Sequence, residues 1–284
     1  MTNIIDTRIR LPMEFRPTVE GVDTSVYESQ YDAVLNLADN QQKSFEQLKK
    51  DMDEANISHG IIHAEYEYGE QADILNKEVA KIVKKDPERF SGFGTISMET
   101  IRPAVALKQL EEIKQLGLIG VNIQPAFFKI SIDDRLLYPV YAKAEELGLI
   151  VAIHTGVNYS TTHPIRHEHP LLLDQVACDF PNLKIIACHA AWPWIAEIVA
   201  VARKHTNIMM DFGGLAPKCL GVPGSGWEVL YSFMNNLLAD QVLFATDWPV
   251  FPMKRAVDEW QQLNLKPEVL QKLLGGNATK LLNK

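Results

Sequence analysis

Eight short runs rich in Ile, Val, Leu and Phe recur along the whole chain: IIDTRIR (4–10), HGIIHAE (59–65), FSGFGTI (90–96), LIGVNIQP (118–125), LIVAIHTG (149–156), LKIIACHA (183–190), NIMMDFG (207–213) and VLFATDWP (242–249). Stretches of helical character separate them. The clearest is IRPAVALKQLEEIKQLG, where Val105, Leu107, Leu110, Ile113 and Leu116 approximate a helical spacing, with Pro103 near the start and Gly117 at the end. DDRLLYPVYAKAEELG and PWIAEIVAVARKH repeat the pattern. Nearly continuous apolar strands alternating with helices predict a parallel sheet covered by helices on both faces. Eight units over 284 residues predict a single (β/α)8 barrel of the TIM type spanning 1–284, close to the ~250 residues usual for it. An open doubly wound sheet is the alternative, but no GxGxxG follows the first strand.

Two connections exceed what packing needs, residues 11–42 and VNYSTTHPIRHEHP at 157–170. Both follow strands, so both emerge on the C-terminal face of such a barrel and are candidate walls or lids of a pocket.

Polar side chains accumulate near the ends of the proposed strands: Asp6, Arg8, Arg10, His63, Glu65, Asn122, Gln124, His154, His189, Asp211 and Asp247. A packed interior needs none of them, and burying ionisable groups costs several kcal/mol unless they are paired, so their gathering at one end points to a site. Strand alternation places Asp6, Arg8 and Arg10 on one face and Ile5, Thr7 and Ile9 on the other. The plain structural alternative is that Asp6 pairs with Arg8 or Arg10. His63 is read as a hydrogen-bonded core residue or a pocket wall. Cys188 is expected to point away from His189, which argues against a Cys-His pair. Trp192, Trp194 and Trp248 flank His189 and Asp247 and suit an apolar wall or helix packing. The loop residues His163, His167 and His169 are expected to be solvated or bonded to backbone, with Arg166 a contributor to anion binding.

With Lys plus Arg at 28 and Asp plus Glu at 36, the net charge of −8 argues against gripping nucleic acid or an anionic membrane surface. A small-molecule anionic substrate is the expected partner, and a homodimer is expected on symmetry grounds. Three cysteines without CxxC spacing argue against a disulfide framework or a cysteine-built zinc site, and no apolar run approaches the ~20 residues that span a bilayer, so a cytoplasmic location is expected.

The segments IIDxRxRLP, IHTG, IIACHAAWPW, FATDWP and LLGGNATKLL resemble the amidohydrolase superfamily, in its amidohydrolase-related branch. That branch includes metal-dependent decarboxylases and hydratases as well as lactonases. The resemblance implies catalytic roles for Asp247, His189 and His154, and makes His154 and Asp247 candidate metal ligands. It departs at the start, where relatives carry metal-binding histidines and this chain has Arg8 and Arg10. Arginine stays protonated and offers no lone pair, so a metal-free site is the preferred reading, with one zinc or manganese ion as the alternative. Arg8 and Arg10 are then expected to bind a substrate carboxylate or an oxyanion, beside His63, Arg166 and Trp192. The expected activity is hydrolysis of a lactone or cyclic ester, with Asp247 activating water. Two alternatives stand beside it: a nonoxidative decarboxylase of an aromatic or unsaturated acid using one divalent metal, and a non-catalytic binder of an anionic metabolite.

Overall fold

A computed structural model describes residues 3–17, 34, 43–65 and 71–282. Most of the 11–42 excursion, read above as a candidate lid, therefore lies outside the described residues. Eight parallel strands form one sheet in sequential order: β1 (Ile4–Arg10), β2 (Ile57–His63), β3 (Phe90–Gly94), β4 (Gly120–Ile123), β5 (Ile150–Ile153), β6 (Ile185–Ala187), β7 (Ile208–Asp211) and β8 (Val242–Leu243). Backbone bonds from Thr7 to Phe244, from Arg10 to Trp248 and from Asp247 to Arg8 bring the last strand back to the first and close the barrel. The eight-unit reading of the sequence holds.

Helices alternate with the strands: α1 (Phe45–Glu54), α2 (Gln71–Lys85), α3 (Pro103–Gln115), α4 (Tyr138–Leu147), α5 (Leu172–Asp179), α6 (Ile195–Lys204), α7 (Glu228–Met234), α8 (Met253–Gln262), α9 (Pro267–Gln271) and α10 (Asn277–Leu281). Local chemistry sets their ends. Ser44 caps α1 by accepting from the Gln47 amide, and Pro103 occupies the first turn of α3. Among the described residues no helix is long and apolar enough to cross a membrane.

The core has two parts. Ile5, Ile61, Phe93, Ile150, Ala152, Ile186, Cys188 and Leu243 fill the barrel interior, and a larger set including Ile4, Ile9, Ile62, Val121 and Val151 packs against the helices. Here the simple alternation fails. The register of β1 on β2 slips between Asp6 and Ile9, so Ile5 belongs to the interior while Ile9 faces outward against Gly60 and Met52. Ile5 and Ile9 do not share a face; an irregularity of this kind re-aims the side chains that follow it.

The strands are shorter than the apolar runs suggested. The polar tails of those runs leave the ladder, which puts His154, His189 and Asp247 just beyond the ends of β5, β6 and β8. At the other end of the barrel Gly275 packs beneath β1, where a Cβ atom would lie 1.8 Å from the Asn3 carbonyl oxygen. Only glycine fits there.

Candidate active site

The irregular β1 carries Arg8 into the barrel axis, where its side chain is only 1% exposed. Nε donates to Asp247 Oδ1 at 3.2 Å, Nη1 to Asn122 Oδ1 at 3.2 Å and to Cys188 Sγ at 3.2 Å, and Nη2 to Glu65 Oε1 at 2.5 Å. Arg10, 12% exposed, lies above it. Its Nε and Nη2 fork onto Asp247 at 2.9 and 2.6 Å, and Nε stands 3.3 Å from Glu65 Oε2. Two guanidinium groups and two carboxylates thus alternate in a closed square, a bidentate, charge-assisted arrangement with zero net charge. Burial raises the proton affinity of Asp247, but Arg10 and then Arg8 outweigh it and hold the carboxyl well below the usual range.

Asp6 does not take part in this square. It accepts from the Arg8 amide at 3.1 Å and from the Thr246 amide and hydroxyl at 3.1 and 2.5 Å, tying β1 to the chain after β8. The sequence-level pairing of Asp6 with an arginine side chain is thereby corrected. Burial pushes the Asp6 carboxyl up to about 7, with the Thr246 and Arg8 hydrogen bonds opposing it.

His189 has a left-handed backbone, φ 58°, as have Ala190, Ala191 and Asp247. Such conformations cost of order 1–3 kcal/mol each and persist where surrounding contacts impose them. Asp211 supplies two of those contacts: its Oδ1 accepts from the amides of His189 and Gly213, both at 3.0 Å. The turn also breaks the strand alternation, so Cys188 points into the barrel beside Arg8 and not away from the site as expected. Because a carbonyl can only accept, His189 Nδ1 carries a proton and donates it to the Gly213 carbonyl at 2.7 Å, leaving Nε2 as the acceptor in the neutral ring. Burial, then the neighbouring His154 and Arg8, lower its pKa to about 4.

His154 meets the His189 ring edge-on at a centroid distance of 4.7 Å. Its Nδ1 stands 2.5 Å from Oε1 of the fully buried Glu168, a close but poorly aligned ion-pair contact, and Asn158 donates to the other Glu168 oxygen at 2.6 Å. Nε2 is left as the nitrogen on the pocket side.

A pocket that is partly open to solvent lies over these groups. Arg10, His154, His189 and Asp247 form its polar floor, and Val157, Tyr159, Trp192, Leu215 and Val250 its apolar sides. The loop at 157–170 is therefore a wall, as expected. Gly213 and Gly214 complete the lining; at Gly213 a Cβ atom would lie 2.9 Å from Arg8 Cδ.

Several sequence expectations need correction. Arg8 is buried and, unlike Arg10, lies outside the pocket lining, with Nε and both Nη groups bonded within the barrel. His63 is the hydrogen-bonded core residue of its two readings and not a pocket wall: it donates from Nε2 to the Thr7 carbonyl, packs on Phe93 with ring centroids 4.6 Å apart, and lies outside the pocket lining. Its pKa is lowered to about 3 by burial and by Arg8. Arg166 is exposed on a short turn and likewise does not line the pocket. His163 and His167 bond separately to Ser160 and Ser131, at 2.7 Å each. Of the tryptophans, Trp192 lines the pocket, Trp194 packs on His169, and buried Trp248 donates to Asp51 of α1. Glu168 was missed altogether, because one glutamate among loop histidines carries no periodic signal. Glu65 was noted at a strand end, but its pairing with Arg8 and Arg10, 57 and 55 positions earlier in the chain, was not.

A divalent metal does not fit this donor set. Both oxygens of Asp247 and both of Glu65 face guanidinium groups, which leaves two imidazole nitrogens, fewer than the three or four protein ligands usual for zinc. Among the described residues, the group of three metal-type donors lying within 4.8 Å of one another is Asp174, Cys178 and His205, on the outer surface between α5 and α6.

Comparison with known proteins agrees with this architecture. A 2-amino-3-carboxymuconate-6-semialdehyde decarboxylase of Dictyostelium discoideum is 26% identical over 241 residues, which cover 74% of this chain and 66% of that protein. A gamma-resorcylate decarboxylase of Polaromonas sp. is 23% identical over 255 residues, 75% of this chain and 76% of that one. Among solved structures, the uncharacterized TIM-barrel protein Bb4693 of Bordetella bronchiseptica superimposes with a TM-score of 0.79 at 29% identity, covering 99% of this chain and 98% of the other. The amidohydrolase family model matches residues 8–284, from the first arginine of the square to the last residue, and the chain belongs to that family.

Proposed function

We propose that the chain is a carboxy-lyase that removes CO2 from a small, flat, unsaturated or aromatic acid, in place of the lactone hydrolysis first expected. The observation that carries this is the state of Asp247. A hydrolase of the expected kind needs that carboxylate to take a proton from water, yet Arg10 and Arg8 occupy both its oxygens and make it a weak base. The two curated relatives described above, both decarboxylases, support the same direction.

In the proposed reaction the substrate lies against Trp192 with its conjugated oxygen towards Arg10. With the conjugated oxygen held as an oxyanion against the positive edge of Arg10, a proton first adds to the carbon that bears the carboxylate, which becomes tetrahedral as the oxygen becomes a carbonyl. The bond to the carboxylate carbon then breaks, CO2 departs, and the electron pair restores the conjugated system and the oxyanion. The added proton comes from Nε2 of His154 and forms the new C–H bond, and solvent returns a proton to His154. Glu168 supplies the counter-charge and fixes the ring. Neutral His189 orients the substrate through Nε2.

One feature favours a second reading. An acceptor nitrogen on a neutral histidine can also take a proton from water, which keeps hydrolysis with His189 as base in view. A panel of carboxyl-labelled hydroxybenzoic and unsaturated dicarboxylic semialdehyde acids, run beside pyrone carboxylate lactones, separates the two. Enzyme-dependent labelled CO2 supports the lyase. Ring opening of the lactones without CO2 release removes it in favour of the hydrolase.

A further inference from the structure

We infer that the guanidinium of Arg8 is the resident cation of this barrel, so that the site carries its central positive charge covalently and takes up no divalent metal there. This holds for either reaction, and its test reads binding alone. Four side chains from separate parts of the barrel converge on the charge that Arg8 brings in from β1: Glu65 beyond β2, Asn122 of β4, Cys188 beyond β6 and Asp247 beyond β8. These are oxygen and sulfur acceptors, the kinds of atom that surround a bound cation. The atoms that face Arg8 already accept from its N–H groups. The charges balance as well: Arg8 and Arg10 offset Glu65 and Asp247 in the buried square, and an added divalent ion would leave an excess of two positive charges in a buried site. The guanidinium is bonded to the chain, held by four side chains and shielded from water, so neither exchange nor chelation removes it.

Removing the cation reverses the situation. Arg8→Gly leaves two carboxylates, a thiol and an amide oxygen facing an empty volume the size of the lost side chain, with Arg10 alone to offset the two carboxylates. Such a cavity calls for a replacement cation, either free guanidinium or a divalent metal.

The test uses the full chain carrying Cys178→Ser, which disables the surface group of Asp174, Cys178 and His205 and so prevents a false signal. Protein purified without chelator is analysed by elemental mass spectrometry and titrated with Co2+, whose absorption reports a bound ion. The expected result for this background is no stoichiometric metal and no Co2+ spectrum. Arg8→Gly in the same background is expected to gain a saturable Co2+ spectrum, and millimolar guanidinium is expected to displace the ion and raise the thermal midpoint. Stoichiometric metal in the Cys178→Ser protein, lost on His154→Ala, overturns the inference. So does an Arg8→Gly protein that folds yet binds neither cation. If Arg8→Gly does not fold, the titration of the Arg8-containing protein still decides the matter.

Discussion

Oε1 of Glu168, on the loop after β5, stands 2.5 Å from Nδ1 of His154, and no solvent reaches the carboxylate. The pair couples a loop residue to the end of a strand and sets which imidazole nitrogen faces the pocket. Glu168→Gln keeps the size and the Asn158 contact but removes the charge. Turnover should fall about 100-fold, the scale for misplacing a reacting group by about an ångström, with little change in KM. An unchanged rate would show that Glu168 does not orient His154.

Gly213 sits where three site residues meet. An added methyl group would lie 2.9 Å from Arg8 Cδ and 3.3 Å from both Asp211 Oδ1 and Asp247 Cβ, and Arg8 has no room to retreat because its donors are engaged on several sides. Gly213→Ala should cost about 1–3 kcal/mol through overpacking. Calorimetry should show a drop in Tm of several degrees. A Tm equal to that of the parent would mean that the square yields more easily than its bonding implies.

The fold keeps His63 neutral, with its pKa near 3 against 6.5 for the free side chain. The unfolded chain therefore binds the proton more readily, so the stability this residue contributes is present above pH 6.5 and is lost as pH falls towards 3. The advantage of the parent protein over His63→Gln, measured by urea unfolding, should shrink between pH 6.5 and pH 4. A gap constant over that range would contradict the assignment.

Asp6 behaves in the opposite sense. Its folded pKa of about 7 lies above the ordinary 3.8, so its contribution is complete below pH 3.8 and declines as pH rises through 7. Asp6→Asn mimics the protonated form and can still serve Thr246. Its stability relative to the parent should rise with pH across this window, by up to about 1.4 kcal/mol per pH unit. A falling difference would show that Asp6 is ionised throughout.

The architecture was legible because each strand of a parallel barrel is buried on both faces and so reads as an unbroken apolar run. His154, His189 and Asp247 were legible because they follow those runs directly. The role of Arg8 was not. Its charge looked available for a ligand, since Glu65 and Asp247, which neutralise it, lie 57 and 239 positions away in the chain and nothing local marks the pairing. The orientation of Cys188 was misread for another reason: alternation assumes an extended backbone, and at His189 the chain turns left-handed. Glu168 shows the same limit, because its burial depends on a loop path that periodicity cannot describe.

The square of Arg8, Glu65, Arg10 and Asp247 also orders events during synthesis of the chain. Arg8, Arg10 and Glu65 leave the ribosome early, carrying two positive charges and one negative. The missing carboxylate arrives only with residue 247, and the β8 segment that bears it is also the stave that closes the barrel. A nascent chain stopped before that point cannot neutralise its own centre, and so cannot bury it cheaply. Completion of the charged square therefore coincides with arrival of the stave that closes the barrel, and a chain that lacks this stave is left open around an unbalanced centre.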